Sequence, residues 1–140
     1  LTQFVADASV AIKWVLPEIH SDVALLLLSD DCTLLVPDFF FPEIGNILWK
    51  RIRRGETTLE NAQEDLAALM ALPLQIHPSF PLMPQALDIA ARTEQAVYDC
   101  VYLALAVTNG CQMVTADLRF FNALQGDPLA AHLLWVENLP

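Results

Sequence analysis

Short apolar runs alternate along the chain with longer segments in which apolar residues recur every three or four positions. The short runs are QFVAD at 3–7, TLLVP at 33–37, LQIH at 74–77, QMVTAD at 112–117 and LLWVE at 133–137. Their length and β-branched content read as strands. Helical patterns lie between them, at 9–16, 21–30, 39–54, 57–71, 82–95 and 98–109, with a short helix over 118–124. That alternation predicts an α/β fold with a mainly parallel sheet of four to five strands. In such a sheet the ligand site lies beyond the carboxyl ends of the strands, where strand order reverses. Asp7 and Asp117 both fall at the carboxyl end of a predicted strand, the first sign that the two belong to one site.

The 140 residues suit a single domain over 1–140, with no repeat, low-complexity tract or Gly/Ser linker to divide it. At 55% hydrophobic and 17% charged, the chain has ample material for a core and a surplus for its surface. Runs such as VALLLL at 23–28 and VYLALAV at 101–107 fall short of the roughly 18 residues that span a bilayer, so no membrane role is expected. The start of the chain has no basic region followed by an apolar stretch and a cleavage site, and a cytoplasmic protein is expected. Cys32, Cys100 and Cys111 form no CxxC pair and read as buried, reduced thiols. The net charge of −10 repels nucleic acid unless positive charge is gathered locally or metal ions intervene.

Four acids stand out against apolar surroundings. Asp7 follows QFVA and precedes Ser9, which reads as the N-cap of the next helix, although an acid in that place is also a local capping device. Asp117, in TADLRFF, repeats the arrangement and would cap the helix over 118–124. Asp99, in YDCVYLALA, shares a helix face with Tyr102, Leu103 and Ala106, and its charge also suits the positive end of the helix dipole. Glu43, in DFFFPEIGNILWKRIRR, shares a face with Ile47, Lys50 and Arg54; it reads either as a solvated glutamate or as a site acid with a basic track leading away from it. Asp38, after Pro37, reads as the N-cap of this same helix. His20, His77 and His132 lack metal-ligand spacing.

Should the four acids converge, their repulsion destabilises the fold unless a cation binds among them. A carboxylate cluster without His or Cys favours a hard divalent ion, Mg²⁺ or Mn²⁺. The chemistry that follows is phosphoryl transfer from a metal-activated water. Competing readings are weaker. A metal-dependent phosphatase wants a second aspartate two residues after its nucleophile, where this chain has Ser9. A phosphoacceptor signalling domain wants a lysine late in the chain, and none follows Lys50. A scaffold that binds RNA or protein without cutting remains the alternative.

The order VADAS, FPEIGN, YDCVYLALA and TADLRF resembles the PIN domain, in particular the VapC-type toxin ribonucleases of type II toxin–antitoxin systems, over essentially the whole chain. The resemblance implies a PIN-like three-layer α/β fold and a divalent-metal-dependent endoribonuclease, with Asp7, Glu43, Asp99 and Asp117 as its metal site. It also implies supporting roles for Ser9 and Thr115. Some members carry a further acid shortly after the fourth; Asn122 stands in this segment and is at best a weaker ligand, which leaves a second ion open. A VapB-type antitoxin is implied as partner.

Phe39, Phe40 and Phe41 are consecutive on a predicted helix and, with Trp49, are expected to expose an apolar patch for that partner or for a homodimer. Lys50, Arg51, Arg53 and Arg54 make the only dense basic cluster. Lys13, Lys50, Arg54 and Arg119 are the expected contacts to RNA phosphate.

Overall fold

The computed structural model describes residues 1–140. Five strands, β1 (Thr2–Ala6), β2 (Cys32–Pro37), β3 (Gln75–His77), β4 (Gln112–Thr115) and β5 (Leu133–Trp135), form one sheet in the order β3-β2-β1-β4-β5. Every pairing is parallel, with Phe4 opposite Leu34 on one side and Gln112 on the other. Strand order therefore reverses between β1 and β4.

Seven α-helices accompany the sheet: α1 (Ala8–Ala11), α2 (Ser21–Ala24), α3 (Phe40–Arg53), α4 (Leu59–Met70), α5 (Met83–Thr93), α6 (Val97–Thr108) and α7 (Leu118–Ala123). The helices predicted over 9–16 and 21–30 are each a single α-turn continued by a 3₁₀ turn, over Ile12–Trp14 and Leu25–Leu28. Alternation along the strands splits the core between the two faces. Val5, Leu35 and Met113 join the larger cluster, with Phe40, Ile44, Ile89 and Leu103 from the helices. Phe4, Leu34 and Val114 join the smaller one, under Ala24 and Leu27. The result is an α/β fold on a parallel sheet, as the pattern predicts, in the three layers that the family resemblance implies.

α6 is the central helix, buried continuously from Cys100 to Ala106 against β1, β2 and β4. A helix apolar on all sides has to be enclosed, which explains why VYLALAV shows so little amphipathic pattern. After Asn109 caps it, Gly110 takes φ +63° and turns the chain into β4. No helix is long and apolar enough to cross a membrane.

Two expectations are corrected by packing. Asp38 does not cap α3, whose N-cap position is Phe39 with no side-chain bond; Asp38 Oδ2 instead accepts from Ser79 N at 3.0 Å, pinning the segment that leads to α5. The three phenylalanines do not form an exposed patch. Phe40 is fully buried, Phe41 packs edge-on against it, and Phe39 is half-buried, with Tyr98 and Tyr102 edge-to-face against its ring. Trp49 alone of the predicted patch is exposed, with the Arg53 guanidinium 4.7 Å above its ring.

Candidate active site

Asp7 is the first residue beyond β1 and caps α1 with its own carboxylate: Val10 N donates to Oδ1 at 3.0 Å. Ser9, expected as the cap, lies inside α1 and donates its hydroxyl to the same oxygen at 2.6 Å. Thr115, the last residue of β4, donates to Oδ2 at 2.6 Å and accepts from Asp117 N at 3.1 Å. The Ser9 hydroxyl in turn accepts from Ala116 N at 3.0 Å. Two hydroxyls thus lace the end of β1 to the end of β4 at the reversal point, with Asp7 at the centre.

Asp117 caps α7, its Oδ1 accepting from Arg119 N and Phe120 N while Oδ2 accepts nothing from the protein. Asp99 lies in the first turn of α6, and neither of its oxygens takes a protein donor. Glu43, in the first turn of α3, accepts from the Tyr102 hydroxyl at 2.5 Å through Oε1, leaving Oε2 free. Two adjoining clefts share Asp99 as a wall. One, of about 330 Å³, also holds Asp117, Arg119 and Glu94. The other, of about 550 Å³, holds Glu43, Asn46, Phe39 and Tyr98.

The acids feel one another. Burial pushes the Asp7 carboxyl up to about 6 against the pull of its hydrogen bonds, and the charge of Asp117 adds to the rise. Burial also pushes Asp99 up to about 6, followed by repulsion from Asp7 and Asp117. Glu43 is raised by burial, opposed by the Tyr102 hydrogen bond and reinforced by Asp99. The four carboxylates therefore share one electrostatic field. They do not close into a finished coordination shell: no three His, Cys, Asp or Glu side chains converge tightly enough to enclose an ion. The donor set is nonetheless all oxygen and anionic, the chemistry that hydrated Mg²⁺ or Mn²⁺ takes while keeping several of its waters.

The predicted basic contacts separate. Arg119 is exposed at the mouth of the smaller cleft. Lys50 and Arg54 are exposed at the far end of α3, about 10 and 16 Å along the axis from Glu43 at 1.5 Å per residue. Lys13 is only 7% exposed, with Nζ 3.2 Å from Glu18 Oε1, and Arg51 takes the other oxygen of Glu18. Lys13 is thus paired within the protein, its pKa lowered by burial and by Arg51 and raised by the charge of Asp7 beside the site. Asn122 is exposed on α7 and shares no hydrogen bond with the acids. Tyr102 was missed as a site residue; its spacing three residues after Asp99 put it on the right face, but there a tyrosine reads as core. Asn46, three residues after Glu43, carried a similar signal.

Known proteins resemble this chain in both sequence and fold. The family model for the PIN domain matches residues 4–125. The chain is 31% identical over 117 residues to Ribonuclease VapC3 of Pyrobaculum aerophilum, covering 82% of this chain and 89% of that protein. Its fold is similar to the crystal structure of PAE2754 from Pyrobaculum aerophilum, at 22% identity and a TM-score of 0.71 over 97% of this chain and 85% of that one. It is also similar to VapBC2 of Rickettsia felis, solved bound to a DNA fragment from its promoter, at 12% identity and a TM-score of 0.65 over 96% and 98% of the two chains. With the family model and Ribonuclease VapC3 each matching most of its length, the chain belongs to the PIN domain family.

Proposed function

We propose that residues 1–140 act as one nuclease domain, a cytoplasmic endoribonuclease that depends on Mg²⁺ or Mn²⁺ and forms the toxin half of a type II toxin–antitoxin pair. The observation that carries this reading is the position of Asp99, which walls both clefts and whose carboxyl is raised by burial first and then by the charges of Asp7 and Asp117. The free oxygens of Asp99, Asp117 and Glu43 are the ones that would hold the ion, with Asp7 behind them. When bound, such an ion lowers the pKa of water and stabilises charge developing on a phosphate.

The chain's own residues supply the rest. Ser9 and Thr115 fix both oxygens of Asp7, and Tyr102 fixes one oxygen of Glu43. Arg119, at the rim beside Asp99 and Asp117, meets the phosphate backbone, and Lys50 and Arg54 extend that contact along α3. Similarity to a protein named ribonuclease supports RNA as the substrate. The likeness in fold to VapBC2 supports an antitoxin partner, and a homodimer is proposed beside it as the use of the exposed apolar surface.

The test is cleavage of a labelled, mixed RNA pool by the purified chain in Mn²⁺, Mg²⁺ or EDTA, beside Asp99→Asn. Cutting that needs metal and vanishes in the variant is the expected result. An uncut pool under both metals would favour a non-catalytic scaffold.

A further inference from the structure

Tyr98 immediately precedes Asp99, yet it is 64% exposed, on the rim of the larger cleft. Its ring is not loose. Phe39 packs against it edge-to-face, with centroids 5.4 Å apart and planes at 81°, and Phe39 is itself held by buried Tyr102, at 5.6 Å and 89°. An aromatic ring braced from below and open above is a platform. Around it the cleft pairs apolar surface from Pro42 and Ala96 with the side-chain amide of Asn46, beside Glu43 and Asp99.

The charge here selects among ligands. No cationic side chain lines this cleft, so beyond the ion that Glu43 and Asp99 would share, the chain offers a phosphate nothing here. A nucleobase is neutral, presents a π-face to an aromatic ring, and carries amino and imino hydrogens that a carboxylate or an amide oxygen accepts. About 550 Å³ lies within the usual range for pockets that take small organic groups. The base edges and faces are free to enter such a pocket only in an unpaired strand.

We infer that Tyr98, braced by Phe39, is a stacking site for one unpaired RNA base next to the phosphate that is cut, with Asn46 at the base edge. This rests on the ribonuclease reading and deepens it, because it makes the substrate single-stranded at the site. It also gives the two clefts separate tasks. The smaller one, with Arg119, faces the backbone; the larger one holds the neighbouring base.

The experiment is the binding of a fluorescein-labelled, random-sequence single-stranded RNA, read by anisotropy at low salt with Ca²⁺ in place of Mg²⁺ or Mn²⁺, so that the acids carry an ion, with the strand confirmed uncut on a gel. A duplex of the same length serves as control. Wild type is compared with Tyr98→Ala, Tyr98→Phe and Tyr98→Trp. Loss of one stacked base predicts at least about a fivefold weaker binding of the single strand by Tyr98→Ala, with affinity kept by Tyr98→Phe and Tyr98→Trp and duplex binding unmoved. Equal binding by Tyr98→Ala would overturn the inference and leave the ribonuclease reading standing. Equal losses in Tyr98→Ala and Tyr98→Phe would overturn it as well, since the hydroxyl and not the ring would then matter. A wild type that binds no single-stranded RNA would overturn it; if the pool also stays uncut in Mn²⁺, the ribonuclease reading falls with it.

Discussion

The Tyr102 hydroxyl donates to Glu43 Oε1 across 2.5 Å, tying the middle of α6 to the first turn of α3. Tyr102 is 1% exposed, and burial with the nearby charges of Glu43, Asp7 and Asp99 keeps its phenol protonated. It is thus a permanent donor that sets which oxygen of Glu43 faces the cleft. Tyr102→Phe keeps the ring and its packing against Phe39. It is expected to fold, to lose about 1–2 kcal/mol in urea unfolding, and to bind Mn²⁺ about tenfold more weakly. In a Glu43→Gln background the same change should leave Mn²⁺ affinity unmoved, since its route to the ion is gone.

Asp7 does two jobs that substitution can separate. As an N-cap it is replaceable by Asn, which keeps an acceptor for Val10 N and Ser9, whereas Ala leaves those donors and the buried Thr115 hydroxyl without one. Asp7→Asn should abolish metal-dependent cleavage and unfold within about 1 kcal/mol of wild type in EDTA at neutral pH. Asp7→Ala should be about 2 kcal/mol less stable than Asp7→Asn. A large loss in Asp7→Asn would make the residue chiefly structural.

The acids also set a pH dependence. In the folded protein Asp7 and Asp99 titrate near 6, against 3.8 for an ordinary aspartate. As pH rises from 3.8 to 6, the unfolded chain releases protons that the folded chain keeps, so these groups lower stability through that window and hold it lower above it. For buried Asp7 the full effect is about 3 kcal/mol; Asp99, partly exposed, contributes less. The unfolding free energies of metal-free wild type and Asp7→Asn, compared at about pH 4 and pH 7, should therefore shift by about 2–3 kcal/mol in favour of the variant. A constant difference would contradict the burial and repulsion assigned to Asp7.

Buried and exposed cations are distinguishable in RNA binding. Arg119→Ala is expected to weaken binding and to lower the slope of log affinity against log salt by about 1. Lys13→Met should leave that slope unchanged, because Lys13 is engaged with Glu18. Glu18→Ala removes the shared counter-charge of Lys13 and Arg51 and should cost about 3 kcal/mol of stability.

The strands and most helices were legible because each face of this sheet is covered and the local pattern and the fold agree. The strand-end placement of Asp7 and Asp117 followed from the same logic. What escaped the sequence were partners brought in from afar. Asp38 looked like a cap until Ser79, 41 positions on, supplied its donor. Lys13 looked available until Glu18 and Arg51 enclosed it. Phe39 looked exposed, and Tyr102 looked like plain core, because Tyr98, Tyr102 and Glu43 meet only across the α3–α6 contact. Local pattern reports which side a residue faces, not what waits there.

Calorimetric titration of Mn²⁺ into wild type and Asp99→Asn near pH 6 reads whether the four acids make one divalent-cation site. Wild type should bind with release of protons, because Asp7 and Asp99 are half-protonated there, and Asp99→Asn at least about tenfold more weakly. No binding by wild type, or equal binding by the variant, would contradict a shared site.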